Sequence, residues 1–300
     1  MNENADAFEI PTAQYDQGKV SIENTDEKGR KTGTYGPARN GETLDYESVV
    51  TLNVFYIGFN MAQVEKPARQ ATAYHYTAPS VYPGGASAYE QHAEQNYPYG
   101  YDEANLDEAR RVMEEAGYGP DDKYEFELLA YESSQAWQDV GKLLRNKLAS
   151  AHVDLSVSVA PFSALLKQVR EGNMEAYTLG WIVSWAAPDA FVKHLNPAKS
   201  DPTAETPEAY NNWPNDTEAA QRAIDAWETI QNNPDPNDEA EQKRNEAAVT
   251  LEKANWEHVA NLPVFHQSEE RFSYQWADIP TFGAGGSYKQ KYDEATVDRS

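Results

Sequence analysis

The sequence has no cysteine among its 300 residues. Disulfide bonds, thiolate metal sites, cysteine nucleophiles and a lipid-carrying cysteine are therefore excluded within it. Basic residues are also scarce, because 25 Lys and Arg stand against 49 Asp and Glu and leave a formal net charge of −24. Nucleic acid is therefore excluded as an expected partner, since phosphate backbones and anionic membranes are bound by clustered Lys and Arg.

Long apolar runs are missing as well. None approaches the roughly 20 residues that span a bilayer. The opening MNENADAFEIP lacks the basic and then apolar pattern of a secretory signal. As written, the sequence shows neither an export signal nor an anchor.

Acidic and aromatic side chains are abundant. Hydrophobic residues make up 40% of the sequence and aromatic residues 12%, which is enough for one large domain or two. Asp and Glu are spread along the chain rather than gathered in a tail. This spread favours halophilic adaptation, because molar salt shortens the Debye length to about 3 Å. The alternative is an ordinary acidic protein.

The middle of the sequence has the pattern of an α/β unit. Residues 124–131, 153–159 and 176–183 are strand-like, whereas residues 134–151 and 162–169 carry apolar stripes at helical spacing. Strands that alternate with helices imply a parallel sheet with right-handed crossovers.

The regions before this unit are less regular. Residues 1–50 are broken by Gly and Pro and indicate loops around one or two short strands. Residues 52–60 are aromatic and β-branched and predict a strand buried on both faces. Residues 64–101 are rich in Tyr, Pro and Gly and favour ordered loop. Asp102 can then cap a helix.

Two helices separated by Pro234 and Pro236 are expected after the unit. Residues 262–266 read as a closing strand, and the tail after Gly283 looks loose.

Residues that could perform catalysis or hold a metal form no recognisable pattern. The six histidines fall at no metal-ligand spacing, and no G-x-S-x-G elbow is present. The glycine cluster at 283–286 precedes no convincing helix. We therefore expect no catalytic residue, no metal site and no cofactor.

Aromatic residues gather at the end of the third strand of the α/β unit. Trp181 and Trp185 flank this end, and open α/β sheets bind ligands at the carboxyl ends of their strands. Aromatic rings with a polar handle suit stacking on peptide groups or sugars. The alternative is that both tryptophans belong to the core.

Five segments follow one another in a recognisable order: YIGFNM, RQA, YPYGYDEANLDEARRVMEEAGYG, TLGWIVSWAAPDAFVKHLNP and ANWEHVANLPVFHQ. This order resembles the peptide- and dipeptide-binding branch of the extracellular solute-binding proteins of ABC importers, known as family 5. The resemblance runs from about residue 5 to at least residue 275.

The resemblance implies an α/β, periplasmic-binding-protein-like type II fold with two lobes. Such proteins close on a short peptide or similar solute and deliver it to an ABC permease in the membrane. They are monomeric binders rather than enzymes, and the family is extracellular and anchored at the cell surface.

The match begins late in the family's order, so we expect mainly the second lobe, with strands that belong to a missing first lobe. Residues 1–60 would be a remnant of the first lobe with the hinge strand. Residues 61–262 would form the second α/β lobe, and residues 263–300 a return strand and tail.

The ligand contacts that the resemblance implies lie around the two tryptophans. Peptide binders of the family commonly have an aspartate three residues after Gly-Trp, which pairs with the ligand's α-amino group. This sequence has Ser184 there, and a hydroxyl does not supply that charge; Asp189 is a candidate substitute. The expected ligand-binding residues are Trp181, Ser184, Trp185, Asp189, Asn60 and Tyr56, the last two near the hinge.

Two alternatives remain open from the sequence. One is a non-functional truncated remnant of such a binding protein. The other is a small α/β hydrolase, for which Asp189 would be the carboxylate near the cleft.

Overall fold

The computed structural model describes residues 7–11, 14–27, 29–75, 80–82, 96–99, 104–183, 185–285 and 292–298. The strands are β1 (Ala7–Phe8), β2 (Val20–Thr25), β3 (Lys31–Tyr35), β4 (Leu44–Phe59), β5 (Tyr124–Tyr131), β6 (Val153–Ala160), β7 (Ala176–Trp181), β8 (Asn261–Tyr274), β9 (Ala277–Asp278) and β10 (Thr296–Val297). The helices are α1 (Lys66–Ala73), α2 (Leu106–Glu115), α3 (Gln135–Leu148), α4 (Phe162–Arg170), α5 (Pro188–Val192), α6 (Glu218–Asn232) and α7 (Asp238–His258).

One mixed sheet organises these elements. Its strand order is β1-β8-β4-β7-β5-β6, and the β2-β3 hairpin joins it through β3 and β4. β5 pairs in parallel with β6 and with β7, and α3 and α4 connect these strands. The α/β unit predicted from the sequence is therefore confirmed.

Helix α3 begins where a side chain caps it, and α3 and α4 each pack an apolar face against the sheet. The Ser134 hydroxyl accepts a hydrogen bond from the Trp137 backbone N–H at 3.4 Å and begins α3. Trp137, Leu144 and Leu148 then lie on the buried face of this helix. On α4, Leu165 and Val169 are the buried positions. Helix packing on the sheet thus follows the periodicity of the sequence.

β4 and β8 are much longer than the other strands, at 16 and 14 residues. At about 3.4 Å per residue, β4 extends over roughly 50 Å. Its second half pairs with β7, whereas its first half pairs with β3. The two halves bury different clusters, and the register between β4 and β8 is irregular between Val50 and Val54.

Two expectations from the sequence are wrong, and a third, the closing strand, is confirmed but is longer than expected. Residues 64–101 were expected to be loop, but α1 forms there because its alanines pack into the core. The helix expected to start at Asp102 starts later, with the Asn105 side chain accepting from the Glu108 N–H at 3.2 Å; Asp102 lies outside the described residues. The closing strand expected at 262–266 extends to Tyr274, because it pairs with the whole of β4.

Two glycines allow β4 and β7 to pair closely. A Cβ atom on Gly180 would lie 2.8 Å from the Phe55 ring. A Cβ atom on Gly58 would lie 2.3 Å from the buried Tyr177 ring. Real Cβ atoms do not approach other atoms this closely, so these rings occupy the space that a side chain would need.

Candidate functional site

The carboxyl ends of β5, β6 and β7 meet at one edge of the sheet. Tyr131 ends β5, Ala160 is its register partner at the end of β6, and Trp181 ends β7. Large apolar side chains are exposed along or just after these strand ends. They are Val159, Phe162, Ile182 and Trp185. We call these exposed side chains, together with Tyr131 and Trp181, the aromatic edge.

The aromatic edge is structured at both ends. At the β5 end, the rings of Tyr131 and Phe162 meet edge to face, with centroids 5.7 Å apart. At the β7 end, Trp181 is half-buried and its Nε1 donates a hydrogen bond to the Ala190 carbonyl at 2.6 Å. The edge therefore presents fixed rings rather than a loose apolar surface.

The other residues expected after β7 differ in position. Trp185 is 57% exposed and belongs to the aromatic edge. Asp189 lies in the first turn of α5 and is partly exposed. The Asp189 carboxylate acts on the buried Tyr82. Burial raises the pKa of Tyr82 well above its usual range, and the negative charges of Glu252 and Asp189 raise it further. Ser184 lies outside the described residues.

Tyr56 and Asn60 lie beneath the surface. Tyr56 is 3% exposed, and burial raises the pKa of its hydroxyl. Asn60 is 1% exposed and follows the end of β4. Its Nδ2 donates to the Gly172 carbonyl at 3.1 Å, and its Oδ1 accepts from the Ala62 N–H at 3.2 Å. The Asn60 side chain thus closes a turn, and Tyr56 lies under the β7 end of the edge.

His194 connects Tyr56 to Trp181, and sequence reasoning did not single it out. Its ring lies 5.1 Å from the Tyr56 ring at an interplanar angle of 24°, and 5.1 Å from the Trp181 ring at 33°. The three rings form a stack that leads from the core to the aromatic edge. No spacing in the sequence signals it, because the rings come from β4, β7 and the turn after α5.

A network of buried asparagines holds the backbone beneath this stack. Asn261 Nδ2 donates to the His194 carbonyl at 3.1 Å and contacts Asn211 Oδ1 at 3.2 Å. Asn211 Nδ2 donates to the Phe59 and Ala260 carbonyls at 3.1 and 2.7 Å. Asn255 exchanges hydrogen bonds with the Asn261 backbone, which joins α7 to β8. These bonds satisfy buried backbone groups and fix the turn that carries His194.

A serine, a glutamate and a histidine also come together away from the sequence motifs. The Glu252 carboxylate accepts from the Ser80 hydroxyl at 2.7 Å and from the Val81 N–H at 2.7 Å. His266 Nε2 lies 3.1 Å from the Ser80 carbonyl oxygen, not from the hydroxyl. A serine nucleophile needs a base on its hydroxyl, so this arrangement fastens residues 80–82 to α7 and β8 and is not a catalytic triad.

Two other kinds of feature are absent from the described ranges. No three His, Asp or Glu side chains there are grouped so that they could hold a metal ion. Likewise, none of the described helices combines the length and apolar character needed to cross a membrane.

The aromatic edge lies at the carboxyl ends of parallel strands, which is where open α/β sheets bind ligands. The profile described as "Bacterial extracellular solute-binding proteins, family 5 Middle" matches residues 32–202. This chain belongs to that family, whose members are extracellular binders. A comparison with curated proteins finds no match.

Solved structures share the fold. The structure of HbpA2 from Haemophilus parasuis superposes with a TM-score of 0.67 at 17% identity, over 85% of this chain and 50% of that one. The dipeptide-binding protein from Pseudoalteromonas sp. SM9913, in complex with Met-Leu, gives 0.65 at 17% identity over the same shares. NikA from Staphylococcus aureus, in complex with Ni(L-His)2, gives 0.60 at 12% identity, over 86% and 54%.

These similarities confirm the periplasmic-binding-protein-like fold expected from the sequence. The chain spans about half the length of the solved relatives that it matches.

Proposed function

We propose that this protein is the substrate-binding component of an ABC importer, which captures a short peptide or similar solute and delivers it to a membrane permease. The observation that carries the proposal is the aromatic edge at the carboxyl ends of parallel strands, where Phe162 and Trp185 are exposed and Trp181 is held by its hydrogen bond to the Ala190 carbonyl. Exposed apolar patches of this kind mark binding surfaces. Membership of the solute-binding family supports the same conclusion.

Within this proposal, the ligand lies against the β7 end of the edge. Trp181 and Trp185 provide rings that stack on peptide groups or side chains. Ser184 and Asp189 provide polar contacts, with Asp189 as the partner of an α-amino group. Tyr56 and Asn60, which are buried, support this end from below.

The long ribbon of β4 and β8 supports the proposed division into lobes. Residues 61–262 form the second lobe, and residues 1–60 and 263–300 supply the hinge strand, the return strand and the elements toward a first lobe. The ribbon connects two separate clusters of buried side chains, which is what a connection between lobes requires. Closure of the lobes then buries the ligand.

The protein acts by binding alone, as a monomer and without a cofactor. Membership of a family of solute-binding proteins supports binding as its activity. Hydrolysis of a peptide added to the protein would contradict it.

The proposal can be tested by thermal unfolding in molar KCl, with and without a mixed library of di- to tetrapeptides. A ligand that binds the folded state raises the melting midpoint. At a hundred times its Kd, the ligand adds about 2.7 kcal/mol to the free energy of unfolding. We expect a cooperative transition whose midpoint rises with peptides.

Two variants locate the site. Trp185→Ala removes a ring of the aromatic edge, and we expect it to reduce the peptide-induced rise. Ile22→Ala is the matched control, because Ile22 is similarly exposed, at 51%, but lies on β2, away from the aromatic edge. A midpoint that ignores peptides in the parent protein, or equal effects of the two variants, would contradict the proposal and favour a remnant without binding activity.

A further inference from the structure

Two contacts hold the Trp181 indole: a hydrogen bond to the Ala190 carbonyl and a ring contact with His194. Its Nε1 donates to the Ala190 carbonyl at 2.6 Å, which fixes one edge of the indole. A single hydrogen bond leaves the ring free to tilt about that contact. The His194 ring, with its centroid 5.1 Å away, lies against the indole and limits this tilt.

His194 is itself fixed from three directions. The Tyr56 ring stacks on it with centroids 5.1 Å apart and an interplanar angle of 24°. Asn261 holds its carbonyl at 3.1 Å. The side chain is fully buried, at 0% exposure. The His194 ring therefore couples the position of β4, through Tyr56, to the position of Trp181 at the aromatic edge.

The chemistry of the ring points to stacking rather than to hydrogen bonding. Within the described residues, neither ring nitrogen of His194 makes a hydrogen bond of normal geometry, and the contact with the Phe191 backbone is outweighed by burial, which lowers the pKa of the ring. A buried polar atom without a partner destabilises the fold, so a hydrogen-bonding role does not explain this side chain. The ring, by contrast, lies 5.1 Å from each of two aromatic rings, at interplanar angles of 24° and 33°.

We propose that His194 is a positioning residue that sets the plane of the Trp181 indole at the ligand-binding end of the aromatic edge. The inference rests on the proposed function for its ligand, but its structural part does not. A flat ring at position 194 keeps the indole in place, whereas an apolar side chain of similar volume without a flat face does not.

The test compares His194→Phe with His194→Leu in protein labelled with 5-fluorotryptophan. Phe keeps a flat ring, and Leu keeps apolar packing without one. The fluorine resonance of Trp181 is assigned by its loss in Trp181→Phe, and that of Trp137, which lies on the opposite face of the sheet unit in another cluster, serves as the reference. Urea unfolding of each variant shows that it folds.

We expect His194→Leu to shift and broaden the Trp181 resonance and leave that of Trp137 unchanged. We expect this variant to bind peptide about tenfold more weakly than the parent. With peptide at a hundred times the parent Kd, its peptide-induced rise in unfolding midpoint should then fall to about half that of the parent. His194→Phe should keep both the resonance and the peptide response near those of the parent. If His194→Leu does not fold, His194→Met provides the same comparison.

Two outcomes would overturn the inference. One is an unchanged Trp181 resonance in His194→Leu, and the other is an equal disturbance by Phe and Leu. A parent protein that ignores peptides would instead contradict the proposed function, while the fluorine spectra would still decide the role of His194.

Discussion

Acidification should destabilise this protein through two buried histidines, His75 and His194. Their side chains are 3% and 0% exposed. Burial lowers the pKa of His75 to about 4, with a further lowering by Lys147, and burial lowers the pKa of His194 to about 3. Within the described residues, none of their four ring nitrogens makes a hydrogen bond of normal geometry, although the Phe191 backbone raises the pKa of His194 against the effect of burial. Both rings are therefore neutral in the folded protein near neutral pH.

The sign of the effect follows from the direction of these shifts. A histidine in the unfolded chain titrates at about 6.5, so the unfolded state takes up protons first as the pH falls. Stability is fully present above about pH 6.5 and is lost as the pH falls toward the folded pKa values. Between about pH 6 and pH 5, linkage gives a loss of about 1 kcal/mol for each histidine, or about 2 kcal/mol for the pair.

Urea unfolding at these two pH values and at constant KCl concentration measures the loss. The comparison protein carries His75→Gln and His194→Phe, which cannot be protonated in this range. Carboxylates titrate in both proteins and cancel in the difference. We expect the parent to lose about 2 kcal/mol more than the double variant; equal losses would refute the reasoning.

Three further perturbations test the packing, the buried charges and the acidic surface. Gly58→Ala should lower the free energy of unfolding by about 1–3 kcal/mol, because its Cβ would meet a buried tyrosine ring at 2.3 Å. Gly119→Ala, with no neighbour within 4 Å, should change it by less than about 0.5 kcal/mol, and similar losses in urea unfolding would contradict the packing argument. Glu47→Gln should cost about 3 kcal/mol, because it removes the buried carboxylate that lies 2.5 Å from the Arg271 guanidinium. By the same assay the exposed Glu239→Gln should cost under about 1 kcal/mol, and equal costs would argue against a buried charge effect. Finally, the melting midpoint should rise between about 0.1 and 1 M KCl, where the Debye length falls from about 10 to 3 Å, because 49 acidic residues repel one another against only 25 basic ones. A midpoint that stays constant or falls would contradict the role of acidic repulsion.

The central α/β unit could be predicted because its signals are local. Strand alternation and helical apolar stripes over 124–183 appear within single elements, and the structure confirms them. The extent of β8 could not be predicted in this way. Its second half is polar in sequence, as in Ser268–Glu270, and forms a strand because β4 lies beside it.

The residues that form and support the aromatic edge were predictable only in part. Trp181 and Trp185 could be selected because aromatic residues follow a strand whose carboxyl end faces a cleft in open α/β sheets. The structure places Tyr56 and Asn60 in the interior, where a sequence pattern cannot distinguish a surface contact from support. The contribution of His194 was not visible, because a lone histidine in a turn carries no periodic signal.

The sequence by itself determined the local elements, the acidic surface and the resemblance to a family of binding proteins. These properties depend on neighbouring residues and on composition, so they can be read along the chain. Only the tertiary structure decided that β4 and β8 form one long ribbon and that Tyr56, His194 and Trp181 form one stack. The physical reason is that strand pairing and ring contacts join distant segments, and their energy exists only once the sheet has brought those segments together.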